Sequence, residues 1–144
     1  MGDQTTHFSS NATLSALRID SSDRIYAVSE NGSVFRSTDA GVTWTSRAAN
    51  QWNFSLTWDP MSVTFDSSNN IYAVVSNTIY RSTDGGSTWS SFATGGVQFG
   101  GASNINSIHF STGGSIFVNT GDIWKSSDSG LNWTRVASAS TNFG

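Results

Sequence analysis

The eight-residue stretch STDAGVTW at Ser37–Trp44 occurs twice more, as STDGGSTW at Ser82–Trp89 and as SSDSGLNW at Ser126–Trp133. The aspartates of these stretches are 45 and 44 residues apart in a chain of 144 residues. Self-similarity at a fixed period of this length is typical of propellers and solenoids. The repeat therefore determines the architecture, and evidence for function must come from residues that depart from it.

The repeat extends upstream of each stretch as three short apolar runs. They align as LRID, VTFD and IHFS, then IYAV, IYAV and IFVN, then VFR, IYR and IWK. Each run is bounded by Gly, Asn, Asp or Ser, which is the pattern of strands joined by turns. For the first unit this predicts strands around Leu14–Asp20, Arg24–Ser29, Ser33–Arg36 and Thr43–Arg47, and essentially no α-helix.

A second, weaker repeat marks the ends of the units. Phenylalanine recurs every 44 to 46 residues, at Phe8, Phe54, Phe99 and Phe143. We therefore divide the chain into units at about residues 8–50, 51–96 and 97–141. Residues 142–144 would then begin a next repeat or overlap with a partner chain.

Composition excludes several function classes. Charged residues make up 12% of the chain and the net charge is −3, which argues against nucleic-acid or anionic-membrane partners. There is no cysteine, and the two histidines lack carboxylate partners at ligand spacing, so we expect no metal and no cofactor. No apolar run approaches the roughly 20 residues of a membrane span.

The repeated stretch resembles the Asp-box, also called the bacterial neuraminidase repeat, with Asn132 in place of Thr in the third copy. In that family the box is the turn between the third and outermost strands of a propeller blade. The resemblance implies an all-β chain of three four-stranded antiparallel blades. It also implies a turn-forming role for the following box residues: Ser37, Asp39, Gly41, Trp44, Ser82, Asp84, Gly86, Trp89, Ser126, Asp128, Gly130 and Trp133.

Asp-boxes occur in sialidases, other glycoside hydrolases, sorting receptors, photosystem assembly factors and lectin-like proteins. The box therefore indicates a blade and not a function. The resemblance favours an extracellular or cell-surface location, although the first residues show no basic and apolar run of a secretory signal.

Three blades do not complete a ring, because closed propellers generally have four to eight. The first and last blades of an isolated chain would each leave one apolar face in water. We therefore predict a homodimer that closes a six-bladed ring, the alternative being that the chain is an excised part of a longer one.

The catalytic set of a sialidase is not found. That family needs three arginines, a Tyr–Glu pair and an acidic Asp, whereas the chain has a single glutamate, Glu30, in a predicted hairpin. Arg18, at the end of a first strand, is the arginine that could face a central channel. Asp59 is unique to the second unit, so a two-carboxylate glycosidase remains one hypothesis for the function.

The loop between the first two units departs most from the repeat. Trp52 and Trp58 have no aromatic counterparts in the other units. Aromatic rings beside polar side chains hold sugars, so we predict a non-enzymatic, lectin-like glycan site on the loop face. Its candidate residues are Trp52, Asn53, Trp58, Asp59, Asn31, Asn77 and Asp122.

Two alternatives to this site stay open. Both tryptophans could instead pack under the loop or at the dimer contact, because Trp is highly buried on average. The chain would then be a structural or protein-interaction propeller without a small ligand.

Overall fold

The computed structural model of the chain describes residues 14–29, 33–48, 62–102, 104–138 and 140. These residues form three separate four-stranded antiparallel sheets, each with its strands in chain order. This confirms the all-β class and the three-blade architecture, and the molecule is a partial β-propeller.

The sheets contain equivalent strands of four to six residues. The first consists of β1 (Leu14–Ile19), β2 (Ile25–Ser29), β3 (Val34–Ser37) and β4 (Thr45–Ala48). The second consists of β5 (Ser62–Phe65), β6 (Ile71–Val75), β7 (Thr78–Ser82) and β8 (Ser90–Thr94). The third consists of β9 (Ser107–Phe110), β10 (Ile116–Asn119), β11 (Ile123–Ser126) and β12 (Thr134–Ala137).

The same irregularity interrupts the pairing of the third and fourth strands in every sheet. The register shifts between Val34 and Phe35, between Ile79 and Tyr80, and between Ile123 and Trp124. Such an irregularity bends a strand and increases its twist. The repeat in sequence is therefore a repeat in register as well.

One helical turn, α1 (Gly95–Gln98), lies between β8 and β9, so the prediction of essentially no helix was incomplete. The Gln98 Oε1 atom accepts a 2.7 Å hydrogen bond from the Thr94 backbone N–H, which closes the turn. The turn brings Phe99 into the core, where its side chain is 2% exposed. Burial of this ring against Trp124 and Trp133 holds the link in place.

Neighbouring sheets pack face to face along two seams. The first seam joins the first and second sheets and buries one cluster, which includes Tyr26, Val34 and Ile71. The second seam joins the second and third sheets and buries another cluster, which includes Tyr72, Ile79 and Ile116. Alternation of side chains along a strand gives each sheet two apolar faces, so the second sheet contributes to both seams.

The box aspartates hold the turns between the third and fourth strands. The Asp39 carboxylate accepts hydrogen bonds from the Thr43 hydroxyl, the Thr43 backbone N–H and the Ser37 hydroxyl. The second and third boxes repeat this arrangement around Asp84 and Asp128. In each box the Trp indole N–H donates to the carbonyl of the box glycine, at 3.0 to 3.2 Å.

These hydrogen bonds lower the pKa of each box carboxyl to about 2, because they stabilise the charged form. A lowered pKa in the folded state stabilises the fold above the ordinary value of 3.8. That stabilisation is lost as the pH falls from about 4 to about 2.

We therefore expect the urea midpoint of unfolding, followed by circular dichroism, to fall steeply between pH 4 and pH 2. Asp84→Asn removes one of the three carboxylates and should flatten this dependence. Asp23→Asn, at an exposed turn outside the boxes, is the matched control and should leave it unchanged. If the urea midpoint depended equally steeply on pH in the two variants, the stabilisation could not be assigned to the box carboxylates.

Candidate functional site

Antiparallel connections place the turns of each sheet at two opposite ends. The turns between first and second strands and the box turns lie at one end, which we call the box face. The hairpins between second and third strands and the links between sheets lie at the other, the loop face. Both faces carry candidate site residues.

Most of the predicted glycan residues lie outside the described residues, namely Trp52, Asn53, Trp58, Asp59 and Asn31. The structure places the other two on hairpins of the loop face. Asn77 is exposed in the second sheet, and its carbonyl accepts a 2.8 Å hydrogen bond from the Gly95 N–H. Asp122 in the third sheet forms a 3.1 Å ion pair with Arg135. Beside Asp122 is a shallow depression of about 380 Å³.

On the box face the first seam is closed by side chains of both sheets. The Asn69 Oδ1 atom accepts hydrogen bonds from the Ser21 hydroxyl, at 2.8 Å, and the Ser21 backbone N–H, at 3.2 Å. Further out, Arg47 donates to the carbonyl oxygens of Asp84, at 2.9 Å, and Gly85, at 3.3 Å. The first sheet is thereby tied to both box-face turns of the second.

The second seam lacks both ties because two repeat positions differ. Gly114 stands where the second sheet has Asn69, so it offers no amide to Ser67, which is equivalent to Ser21. Phe92 stands where the first sheet has Arg47, and its ring packs against Gly130 of the third box. The Phe92 ring cannot donate the two hydrogen bonds that the Arg47 guanidinium donates in the first seam. The second seam is open at this end as a result.

The opening is a cavity of about 310 Å³ between the second and third sheets. It is lined by Asp66, Ser67, Ser68, Asn70, Tyr72, Arg81, Phe110, Ser111, Gly114, Ile116 and Ser129. Phe110 and Ile116 provide an apolar wall, and four serines provide hydroxyl groups. The volume lies at the lower end of the range of ligand pockets.

The acidic side chain of the cavity, Asp66, already has hydrogen-bond partners. The Asp66 carboxylate accepts hydrogen bonds from two backbone N–H groups, of Ser68 and Asn70, and from the Asn70 amide and the Tyr72 hydroxyl. Burial, followed by the Asp66 charge, raises the pKa of Tyr72 to about 12. The phenol is therefore neutral at physiological pH, and Asp66 holds the turn together.

The basic group of the cavity has donor capacity left. Within the described part of the chain, the buried Arg81 Nε atom has no hydrogen-bond partner. The guanidinium carbon lies 5.9 Å from the centre of the Tyr72 ring, which holds the cation over an aromatic face. The Arg36 Nε atom, at the equivalent position of the first seam, is likewise buried without a partner in the described part of the chain, so Arg81 differs by lining a cavity that an acceptor can enter.

The described residues contain no candidate metal site. No group of three or more His, Cys, Asp or Glu that could hold a metal ion is found among them. His109 is exposed and lies 3.2 Å from the Ser107 hydroxyl. Arg18 donates a 2.9 Å hydrogen bond to the Val63 carbonyl of the second sheet. Nor do those residues contain a helix long and apolar enough to cross a membrane.

The fold and this site define the class of protein. It is a β-propeller assembled from repeated blades, with a cleft between two of its sheets. The model of the family described as "Photosynthesis system II assembly factor YCF48" matches residues 4–142. The chain belongs to that family. The comparison with curated proteins finds no match to this chain.

Solved structures agree with the propeller fold. A structure of YCF48 bound to D1 peptide is 24% identical, with a TM-score of 0.64 over 88% of this chain and 41% of the other. YCF48 from Cyanidioschyzon merolae is 19% identical, with a TM-score of 0.58 over 88% of this chain and 44% of the other. A streptogramin B lyase is 15% identical, with a TM-score of 0.59 over 88% and 41%. The chain thus spans less than half the length of these structures, and the likeness shows the fold.

Sequence reasoning missed the box-face cavity. Tyr72 and Arg81 lie within the aligned runs IYAV and IYR, whereas the candidate site was sought where the loop face departs from the repeat. The departures at Gly114 and Phe92 were visible in the aligned repeats. Their meaning depends on which side chains meet across a seam.

Reciprocal exchanges test how the two seams differ. Asn69→Gly removes the hydrogen bonds to Ser21 and should lower the free energy of unfolding by about 1 kcal/mol. Gly114→Asn is compatible with the positive φ of 81°, because Asn69 has a φ of 60° at the equivalent position. It should leave stability unchanged or raise it by up to about 1 kcal/mol. Urea unfolding measures the free energy of unfolding of both variants. A strong loss of stability in Gly114→Asn would contradict the equivalence of positions 114 and 69.

Proposed function

We propose that this chain is a non-catalytic protein-interaction module that holds an extended segment of a partner protein in the box-face cavity of the second seam. The observation that carries the proposal is the open cavity of the second seam, in which the Arg81 donor can reach an acceptor that enters. Membership of the YCF48 family supports it, because the family is described as an assembly factor and one YCF48 structure holds a D1 peptide.

The cavity chemistry fits a peptide better than a cofactor. A volume of about 310 Å³ accommodates one or two side chains of a bound segment. Arg81 would donate to a carbonyl or carboxylate of the segment, and the serine hydroxyls would pair with its backbone. Phe110 and Ile116 would cover an apolar side chain. Mixed polar and apolar contact of this kind is characteristic of protein interfaces.

The same geometry argues against catalysis in this cavity. A general acid or base needs a carboxyl that is available to the substrate, whereas four hydrogen bonds occupy Asp66. The neutral Tyr72 hydroxyl is engaged by Asp66 as well. The module therefore acts by binding.

Glycan recognition and glycoside hydrolysis stay predictions without support from the described residues. Their principal residues, Trp52, Trp58 and Asp59, lie outside those ranges. Asp122, the described acidic residue of that set, is ion-paired with Arg135. We accordingly place the protein partner first and treat sugar binding as a separate arm of the test.

Selection of random 12-residue peptides for binding to the purified chain tests the proposal. The affinities of the selected peptides and of the D1 peptide are then measured by fluorescence polarisation. Arg81→Gln should weaken binding at least ten-fold, which corresponds to about 1.4 kcal/mol. Gly114→Asn, which restores an amide at the mouth of the cavity, should weaken it too. Arg36→Gln is the matched control at the equivalent position of the closed first seam, and a change of less than two-fold is expected.

Two outcomes would overturn the proposal. One is that no peptide binds. The other is that peptides bind equally well to the wild-type chain, Arg81→Gln and Gly114→Asn. Binding of oligosaccharides at millimolar concentration, abolished by Trp52→Ala and Trp58→Ala, would favour the lectin-like alternative instead.

A further inference from the structure

The box-face end of the first seam contains buried donors that its own side chains do not pair. Within the described part of the chain, the Tyr26 hydroxyl and the Arg36 Nε atom have no hydrogen-bond partner. Tyr26 is only 1% exposed, so bulk water does not solvate its hydroxyl. A buried donor without a partner costs free energy, and its presence in a fold points to an acceptor from outside the chain.

The hydroxyl of this tyrosine is unpaired because an arginine engages the acceptor that the repeat provides. In the second seam the Asp66 carboxylate accepts a 3.1 Å hydrogen bond from the Tyr72 hydroxyl. The equivalent carboxylate of the first sheet, Asp20, is held instead by the Arg24 guanidinium, with Nε 2.6 Å from Oδ2. Arg24 stands where the second sheet has Asn70. The first seam therefore has the tyrosine of the second seam without its carboxylate partner.

Three donor groups converge over the backbone of Gly85 in the second box. A Cβ atom added at this glycine would lie 3.3 Å from Arg36 Nη1, 3.6 Å from the Tyr26 hydroxyl oxygen and 3.9 Å from Arg47 Nη2. Arg36, Arg47 and Gly85 are partly exposed, unlike the tyrosine. Solvent therefore reaches the cluster on the side of the two guanidinium groups.

The cluster carries two positive charges without a negative one. Neither Arg36 nor Arg47 forms an ion pair with a described residue. The Asp84 carboxylate of the second box already accepts hydrogen bonds from the hydroxyl groups of Thr88 and Ser82. Two neighbouring cations repel each other, and guanidinium groups bind oxyanions through paired, charge-assisted hydrogen bonds. The charge and the donors of the cluster therefore suit an anion.

We infer that the first seam binds a small oxyanion of the phosphate or sulfate type between the guanidinium groups of Arg36 and Arg47, with the Tyr26 hydroxyl as a third donor. A water molecule would pair the hydroxyl but would leave both positive charges without a counterion. The donors belong to the first sheet and Gly85 to the second, so the bound ion strengthens the contact between the two sheets. The site is separate from the cavity of the second seam.

Isothermal titration of the purified chain with sodium phosphate, in chloride buffer at constant ionic strength, tests the site. Saturable binding of one ion per chain is expected, and sulfate should compete for it. Arg36→Gln and Arg47→Gln should each weaken phosphate binding at least about ten-fold, because each removes a charge-assisted donor. Lys125→Gln is the matched control, since it removes one positive charge at the position of the third sheet equivalent to Arg36. Its affinity should change less than about two-fold.

Tyr26→Phe distinguishes an anion site from a purely structural role of the hydroxyl. Without phosphate this change removes an unpaired buried group, so the urea midpoint of unfolding should stay the same or rise. With phosphate the variant should gain less stability than the wild-type chain gains. Phosphate also stabilises folded proteins by its exclusion from their surface, but that effect is the same for both chains.

Gly85→Ala fills the space over the backbone without removing a donor. Ala40 adopts a φ of 57° at the equivalent position of the first box, so alanine is compatible with the φ of 69° at Gly85. The added methyl group would occupy the point on which the three donors converge. Phosphate binding should weaken at least about ten-fold, while the far-ultraviolet circular dichroism spectrum stays that of the wild-type chain.

Three results would each refute the oxyanion site. The first is that neither phosphate nor sulfate binds saturably to the wild-type chain. The second is that Arg36→Gln and Gly85→Ala bind phosphate as tightly as the wild-type chain does. The third is that Lys125→Gln weakens binding as much as Arg36→Gln, which would indicate a general attraction between the ion and a positive charge anywhere on the chain.

Discussion

The constraint on which the structure depends is that a four-stranded sheet with two apolar faces needs a neighbour on both sides. The second sheet has such neighbours, and all five residues of β6 are buried. In the equivalent strands at the two ends of the array, Ile25 is half-buried, Phe117 is half-buried and Asn119 is exposed. Burial of apolar area stabilises the fold in proportion to the area removed from water, so the seams, more than the individual sheets, determine stability.

The box turns make such packing possible because they close the reversal between the third and fourth strands of each sheet. Each turn engages its aspartate in at least three hydrogen bonds, which satisfies the backbone of a sharp reversal. Gly130 in the third box also lets Phe92 approach the backbone closely. The strongest sequence signal therefore describes how each sheet is closed, and it recurs in proteins of different function because this problem is common to all of them.

The candidate site arises where two repeats fail to match. The first seam is closed by Asn69 on Ser21 and by Arg47 on the second box, whereas the second seam has Gly114 and Phe92 at those positions. Two substitutions that leave the strands intact thus convert a sealed junction into a cavity lined by Arg81. Variation at the ends of strands alters binding properties while the packed faces preserve the fold.

The repeats in the sequence predicted the strands of each unit, with boundaries to within about two residues, and the resemblance to the Asp-box family implied their arrangement in three four-stranded sheets and the position of the box turns. All of these depend on local hydrogen bonds and on the alternation of side chains within one unit. The helical turn Gly95–Gln98 and the cavity at Arg81 were not predicted. They depend on contacts between distant residues, such as Phe99 with Trp124 and Trp133, or Phe92 with Gly130. Only the tertiary structure decided which seam is sealed, because that depends on how a side chain of one unit meets the backbone of the next.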